Sequence, residues 1–222
     1  MSEKYELTNE TKPLEGGTVL HRIRALRDIP RFGVKAGELG GFVEGENNLS
    51  QDDDAWVSDS AWVFGNALVS GNSKVYGNAW VFGNSKVYGK ARVSGKAEIY
   101  GKAEVFGDAK VYGKARVSGN AEIYGDAEVS ANSDYMVVKN IWSSGRWFTY
   151  TSSNKKWAVG CFYGTGEELV AKAYKDSKLS GKCYEEIVHA VETIEAAKAE
   201  AKGESNGSAT SVRAAVAHLR IR

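Results

Sequence analysis

The stretch GKARVSGKAEIYGKAEVFG, from Gly89 to Gly107, repeats one six-residue pattern and decides the fold of the chain. Each repeat has a glycine, an alanine two positions later and a valine or isoleucine four positions later. Side chains two positions apart lie on the same side of a β-strand, so the alanine and the aliphatic residue face one interior. The glycine and the polar residue after it suit the unusual backbone angles of a tight turn. Each hexad therefore predicts one short strand and one corner.

The same pattern extends far beyond this stretch. Glycine recurs at every sixth position from Gly65 to Gly125 without interruption. Upstream, Asp53 and Asp59 occupy the glycine position while alanine and valine stay in register. A fixed period of this kind is typical of a coil built from stacked repeats. We therefore predict a parallel β-helix over residues 53–134.

This spacing resembles the hexapeptide-repeat family, in which an aliphatic residue is followed four positions later by a small one, as Val87 is by Ala91. The resemblance implies a three-sided, left-handed β-helix with about eighteen residues per turn. Its handedness rests on the resemblance alone, because parallel crossovers are ordinarily right-handed. The sequence departs from the family at the position after the aliphatic residue, which is here tyrosine, phenylalanine or serine.

Residues 1–52 lack the hexad and are predicted to form an N-terminal β cap over the open end of the coil. Apolar and polar residues alternate from Thr18 to Leu26, as they do in a half-buried strand. The segment KAGELGGFVE, residues 35–44, followed by Asn48-Leu49-Ser50, resembles the lead-in of prophage-encoded proteins that carry such arrays. That resemblance implies a phage origin, and it brings no function with it.

The region after the coil is predicted to be a small α+β domain over residues 135–202, with three antiparallel strands and two helices. Thr165 and Glu168 have the spacing of a capping box and predict the start of the first helix. Residues 203–222 are predicted to be a linker and a short C-terminal helix. The predicted fold class is therefore mainly β: a left-handed parallel β-helix with an N-terminal β cap and a small C-terminal α+β domain.

The composition of the chain limits the classes of function that we expect. With 29 Lys and Arg against 28 Asp and Glu, no overall field draws the chain toward nucleic acid or an acidic membrane. Residues 1–10 lack the apolar core of a secretory signal, and no apolar run is long enough to span a bilayer. The two cysteines, Cys161 and Cys183, lack metal-ligand spacing and are predicted to be reduced thiols, Cys161 in a buried strand. We expect a protein of the host-cell cytosol with no cofactor and no membrane contact.

The hexapeptide resemblance implies acyltransferases, which use a histidine of the coil as general base. The positions of the histidines in this chain argue against such an enzyme. The histidines of this chain are His21, His189 and His218, and none lies within residues 53–134. The same positions exclude the three-histidine zinc site of coil-type carbonic anhydrases. The sequence therefore predicts a non-enzymatic binding or scaffold protein. A hexapeptide-type acyltransferase, or a catalytically dead relative of one, is the alternative.

The period of the coil sorts its outward side chains onto three faces. The aromatic face collects Trp62, Phe64, Trp80, Phe82 and Tyr100. The second face collects Tyr88, Phe106 and Tyr124. The third face alternates serine with tyrosine beside cationic residues: Ser58, Tyr76, Ser94, Tyr112 and Ser130, with Lys74, Arg92 and Lys110. Stacked rings can simply stiffen a β surface, but an exposed aromatic patch is also typical of an interface. We predict that the aromatic face is an interface or binding surface of a homo-oligomer, which the hexapeptide resemblance implies is a trimer.

An arginine cluster in the predicted cap adds a second candidate site: Arg22, Arg24, Arg27 and Arg31. Such residues often lie on a solvated strand face, but near a cleft they bind phosphate while aromatic rings stack on a base. This combination suggests the hypothesis that the chain is a phage counter-defence protein that captures a small nucleotide signal. A host defence protein bound through the aromatic face is the other partner that we consider.

Overall fold

A computed structural model describes residues 3–218 of the chain, and the side chains of residues 3–201. The chain divides into two compact units, one up to Gly164 and one from Thr165 onward. The structure is mainly β, and it confirms the predicted fold class of a left-handed parallel β-helix with a β cap and a small C-terminal α+β region.

The N-terminal cap consists of strands β1 (Tyr5–Pro13), β2 (Val19–Ala25) and β3 (Leu39–Val43), with 3₁₀ helices at Pro30–Phe32 and Glu46–Asn48. Strand β2 pairs antiparallel with both β1 and β3, and β3 then pairs in parallel with the coil strand β5. The cap therefore extends one sheet of the coil and covers its N-terminal edge.

The coil consists of strands of two residues each, with a corner between consecutive strands. They are β4 (Trp56–Val57), β5 (Trp62–Val63), β6 (Leu68–Val69), β7 (Lys74–Val75), β8 (Trp80–Val81), β9 (Lys86–Val87), β10 (Arg92–Val93), β11 (Glu98–Ile99), β12 (Glu104–Val105), β13 (Lys110–Val111), β14 (Arg116–Val117), β15 (Glu122–Ile123) and β16 (Glu128–Val129).

Each coil strand from β4 to β13 pairs in parallel with the strand eighteen residues later, as Val63 does with Val81. The strands form three sheets, in the orders β1-β2-β3-β5-β8-β11-β14, β16-β13-β10-β7-β4 and β15-β12-β9-β6. The aliphatic residues point inward, and Val87, Val93 and Ile99 have no exposed surface. Because their branched side chains fill the interior of the coil, the polar and aromatic side chains occupy the outward positions.

After the 3₁₀ helix at Asn132–Asp134, strands β17 (Tyr135–Lys139), β18 (Trp147–Thr151), β19 (Lys156–Val159) and β20 (Phe162–Gly164) form an antiparallel sheet. The sequence predicts three strands here, so the fourth is a correction. Gly160, at φ 57°, turns the chain inside the last predicted strand. Cys161 lies exposed in that turn and not in a buried strand as predicted.

The second unit contains helices α1 (Gly166–Asp176) and α2 (Lys178–His218). The predicted capping box is confirmed: the backbone N–H of Thr165 donates to Glu168 Oε2 at 2.8 Å, and the N–H of Glu168 donates to Thr165 Oγ1 at 3.3 Å. The helix α2 passes through the predicted linker. The two isolated glycines of that segment cost a helix only about 1 kcal/mol each, and the Ala-, Glu- and Lys-rich residues 195–202 before it favour helix. The last predicted residues, 219–222, lie outside the described part of the chain.

The division between the units places β17–β20 with the coil, whereas the sequence groups these strands with the helices in a domain over residues 135–202. Neither helix contains, within its described residues, an apolar stretch long enough to cross a membrane.

Candidate functional site

The structure stacks the rings of the aromatic face into two parallel columns. The ring centroids of Trp62 and Trp80 lie 4.8 Å apart with an interplanar angle of 6°. In the neighbouring column Phe64 lies 5.0 Å from Phe82, and Phe82 lies 5.1 Å from Tyr100. Because paired strands are in register, each ring stacks on the ring one coil earlier. The predicted aromatic face is therefore assembled, and most of its rings contact one another.

The N-terminal end of the tryptophan column meets the cap. Phe42 of β3 is the backbone pairing partner of Trp62. The Lys12 ammonium lies 4.1 Å from the centroid of the Phe42 ring and 5.5 Å from that of Trp62. The Arg22 guanidinium lies 5.6 Å from the Phe42 centroid. Cations over ring faces are attracted to them, so this end of the column is positively charged.

The other end of the column stops at Trp80. The next coil has Glu98 at the paired position, and no ring stands there. Glu98 instead forms an ion pair of 2.8 Å with Arg116, one coil further. One face of the Trp80 indole stacks on Trp62 and the other is turned toward the coil of Glu98. Trp80 is 38% exposed, the only member of the aromatic face among the exposed large apolar residues of the described chain.

A groove of about 430 Å³ runs beside this column, and we call it the tryptophan groove. It is lined by Lys12, Ser60, Trp62, Asn78, Trp80, Lys96 and Glu98. Within the described part of the chain, the indole N–H of Trp62 is buried and has no hydrogen-bond partner. Two of the seven lining residues are aromatic and the other five are polar or charged, so the groove offers a ring surface surrounded by hydrogen-bonding groups.

The predicted arginine cluster is divided in the structure. Arg22 pairs with Glu10 at 3.0 Å, and Arg24 pairs with Glu6 at 3.1 Å. Arg27 and Arg31 both approach Asp54, at 3.7 Å and 3.8 Å. The structure therefore brings only Arg27 and Arg31 together, and each arginine already has a carboxylate partner. Of the cluster, only Arg22 contacts the aromatic column.

Several lining residues of the groove are missed by the sequence analysis. Ser60, Asn78 and Lys96 are spaced by eighteen residues and follow the same corner of successive coils, so the period alone could have placed them together. Lys12 comes from the cap, where no repeat fixes its position. Nothing in the sequence therefore places Lys12 beside the tryptophan column.

Two other grooves differ in chemistry. The larger, about 630 Å³ between α1 and α2, is lined by four glutamates, His189 and small aliphatic residues, and no aromatic ring lines it. A groove of about 340 Å³ on another face contains Glu104 and Glu122 beside Arg146 and Trp147. Burial and the neighbouring Glu104 carboxylate raise the pKa of Glu122. Neither groove combines stacked rings with an excess of cations.

No cysteine or histidine of the described chain lines the tryptophan groove. His21 is in β2, where a ring nitrogen lies 3.3 Å from the Thr8 carbonyl oxygen, and His189 is in α2. The side chain of His218 lies outside the described side chains. Among residues 3–201, no group of three His, Cys, Asp or Glu side chains is arranged to hold a metal ion.

Fold and site together define a β-solenoid with an aromatic groove at the junction of coil and cap. No protein-family model matches the chain, and no curated protein matches it significantly.

Proposed function

We propose that the protein captures a small planar anion of the nucleotide class in the tryptophan groove and does not transform it. The observation that carries this proposal is the end of the ring column at Trp80, in a groove that Lys96 and Lys12 also line. A base stacked on Trp80 would continue the column in the coil where Glu98 replaces a ring.

The ring spacing supports a planar ligand. The rings of Trp62 and Trp80 are nearly parallel at 4.8 Å, so a further ring on the free face of Trp80 would meet a surface of the same orientation. Stacking of one base on an aromatic side chain contributes about 1–3 kcal/mol in proteins that bind single-stranded nucleic acid. The column therefore offers a platform that discriminates planar from non-planar ligands.

The charges of the groove support an anionic ligand. Within the described chain, neither Lys12 nor Lys96 forms an ion pair with a carboxylate, whereas the charge of Glu98 is balanced by Arg116 at 2.8 Å. The groove thus presents two ammonium groups without acidic partners. Ser60 and Asn78 add neutral hydrogen-bonding groups that suit a sugar or a base edge.

The same proposal extends to the biological role. We propose that the ligand is a nucleotide signal of a host defence system, captured by a phage protein in the host cytosol. Except at Trp80, the rings of the aromatic face are partly covered in their own columns, which favours a local groove over a broad host-protein interface. The homo-oligomer, a trimer by the hexapeptide resemblance, stays a prediction that light scattering of the purified protein would check.

Equilibrium dialysis tests the proposal without depending on the tryptophan signal. The panel is 5′-AMP, 5′-GMP, cyclic nucleotides and ADP-ribose, with adenosine and ribose 5-phosphate as partial ligands. We expect retention of at least one nucleotide and clearly weaker retention of it in Trp80→Leu, because any nucleotide that this variant still retains is bound outside the tryptophan groove. Lys96→Gln should weaken binding in the groove by about tenfold, since a charge-assisted contact contributes about 1.5 kcal/mol.

The matched control is Lys102→Gln. Lys102 has the same hexad position as Lys96 but follows the next corner, outside the groove. Its removal should leave retention unchanged. Retention of no nucleotide in the panel, or equal retention by Trp80→Leu and the wild type, would refute the proposal.

A further inference from the structure

The third face of the coil carries an interrupted ring column. Ser94 lies between Tyr76 and Tyr112 in consecutive coils, because Val93 pairs with Val75 on one side and with Val111 on the other. The backbone N–H of Tyr76 donates to the Val93 carbonyl, and that of Ser94 donates to the Val111 carbonyl, both at 2.9 Å. We call Tyr76, Ser94 and Tyr112 the tyrosine gap.

The second face shows what the missing ring would contribute. There Phe106 lies between Tyr88 and Tyr124, with ring centroids 4.8 Å and 4.3 Å away. In the tyrosine gap a serine takes the place of that middle ring. Two strand spacings separate the coils of Tyr76 and Tyr112, about 9.5 Å in all, which is the separation that one intervening aromatic ring fills.

An uncompensated positive charge lies beside the gap. Arg92 is two residues before Ser94 in the chain, about 7 Å along the strand direction. It pairs with Lys74 in one adjacent coil and with Lys110 in the other. Like charges at directly opposed positions of a sheet repel one another. An anion bound here would relieve that repulsion.

The side chains of the two lysines have other partners, whereas the Arg92 side chain has no polar partner among the described residues. Lys74 lies 5.3 Å from the Phe32 ring centroid and 5.5 Å from that of Tyr76, and Lys110 pairs with Glu128 at 2.7 Å. The exposed Arg92 guanidinium forms no hydrogen bond or ion pair with any residue of the described chain. Guanidinium groups bind phosphate oxygens with strong, bidentate hydrogen bonds.

We propose that the tyrosine gap and Arg92 form a binding site for a 5′-mononucleotide. The base inserts between Tyr76 and Tyr112 over Ser94, and the phosphate binds Arg92 with Lys74 and Lys110 nearby. This site lies in a different sheet from the tryptophan groove, so it does not depend on the function proposed above.

Calorimetric titration with 5′-AMP tests the site in the Trp80→Leu protein, where the tryptophan groove is disabled. We expect one bound nucleotide per chain, and about tenfold weaker binding of adenosine and of ribose 5-phosphate, each of which lacks one half of the contacts. Arg92→Gln should weaken 5′-AMP binding by about tenfold, which corresponds to the loss of one charge-assisted contact.

The Ser94→Tyr variant distinguishes a loss of binding from a loss of folding. The new ring would complete the column and should raise the Tm while it abolishes 5′-AMP binding. The control is Ser70→Tyr, which lengthens the Tyr88 column on the second face without entering the gap and should leave binding unchanged. The proposal is overturned if the Trp80→Leu protein does not bind 5′-AMP, if Ser94→Tyr still binds it, or if ribose 5-phosphate binds equally well. Equal 5′-AMP binding by the wild type and Trp80→Leu would refute the tryptophan groove only.

Discussion

The middle coils and the end coils of the β-helix satisfy their backbone groups in different ways. In the middle, the N–H of the first residue of each strand donates to a carbonyl of the next coil, as Glu98 does to Ala115 at 2.9 Å. At the C-terminal end there is no next coil. Side-chain oxygens there accept the N–H groups of all three sheets: Arg116 to Asn132 Oδ1 at 2.8 Å, Glu122 to Thr149 Oγ1 at 2.9 Å and Glu128 to Ser153 Oγ at 2.8 Å.

The N-terminal end is closed by another set of polar side chains. The Asn48 amide donates to the carbonyls of Gly65 and Ala67, both at 2.9 Å. The buried Lys4 ammonium donates to the Ala55 carbonyl at 2.7 Å. The middle of the coil can therefore be extended by copying one hexad, whereas each end needs its own residues. The tryptophan groove lies at the N-terminal junction, where a cap residue, Lys12, joins the repeat.

The largest expected effect comes from breaking the corner of a middle coil. Gly101 has φ +73°, and a Cβ atom there would lie 2.9 Å from the backbone nitrogen of Gly119, one coil later. Gly101→Ala therefore combines a left-handed conformation with a clash that no side chain can relieve. We expect a loss of about 3–5 kcal/mol in the free energy of unfolding, measured by urea denaturation.

Gly119→Ala is the matched control in the end coil. Its φ is +69°, but a Cβ atom there would meet no atom within 4 Å. Only the conformational cost remains, about 1–2 kcal/mol. Equal losses for the two variants would show that coil stacking does not require glycine at the corners.

A smaller effect concerns the N-terminal end and depends on pH. Burial lowers the pKa of Lys4 to about 8, although the Asp53 carboxylate opposes the shift. Because the folded pKa lies below the unfolded value near 10.5, protonated Lys4 opposes folding at neutral pH. Stability should therefore rise by about 2 kcal/mol between pH 7 and pH 9.5, as measured by denaturation at each pH.

Lys4→Met provides the comparison, since methionine keeps much of the buried volume and does not titrate. The rise in stability between pH 7 and pH 9.5 should be smaller in this variant by the contribution of Lys4. The series stops at pH 9.5 because burial raises the pKa of Tyr5, whose ionisation in the unfolded state removes stability above pH 10. The same rise in both proteins would exclude a buried, destabilising ammonium at residue 4.

The smallest expected effect concerns the C-terminal end. Thr149→Val keeps the shape of a side chain that is 2% exposed but leaves the Glu122 N–H without its acceptor. The expected loss is about 1–2 kcal/mol in the free energy of unfolding. Ser153→Ala, at an exposed acceptor of the same kind, should lose less than about 0.5 kcal/mol because water replaces the hydroxyl. A loss for Ser153→Ala that matches Thr149→Val would contradict this assignment of the buried cap.

The difference between middle and ends also explains how much of the fold is predictable. Glycine, alanine and valine at fixed spacing place Val93 inside and Trp80 outside, because each property is repeated in every coil. The turn at Gly160 and the length of α2 depend on single local residues, and no repeat supports them. Prediction therefore misses the fourth strand β20 and the continuation of α2 through residues 203–218.

The candidate site is likewise predictable from the sequence where it lies in the repeat, and it is not predictable where it depends on the cap. The stacked columns of the aromatic face follow from the eighteen-residue register, and so does the corner that carries Asn78 and Lys96. The contact of Lys12 with the rings and the separation of the four arginines depend on the path of the cap. The path of the cap is set by the long-range pairing between β1, β2 and β3. The six-residue period of the sequence contains no information about that pairing.

A crystal structure of the protein grown with 5′-AMP tests the proposed function most directly. We predict density for a planar ring parallel to the indole of Trp80, on the side of Glu98 and about 3.5–5 Å from it, with the phosphate near Lys96. Density for the nucleotide elsewhere on the coil, with none on the ring of Trp80, would contradict the tryptophan groove as the binding site.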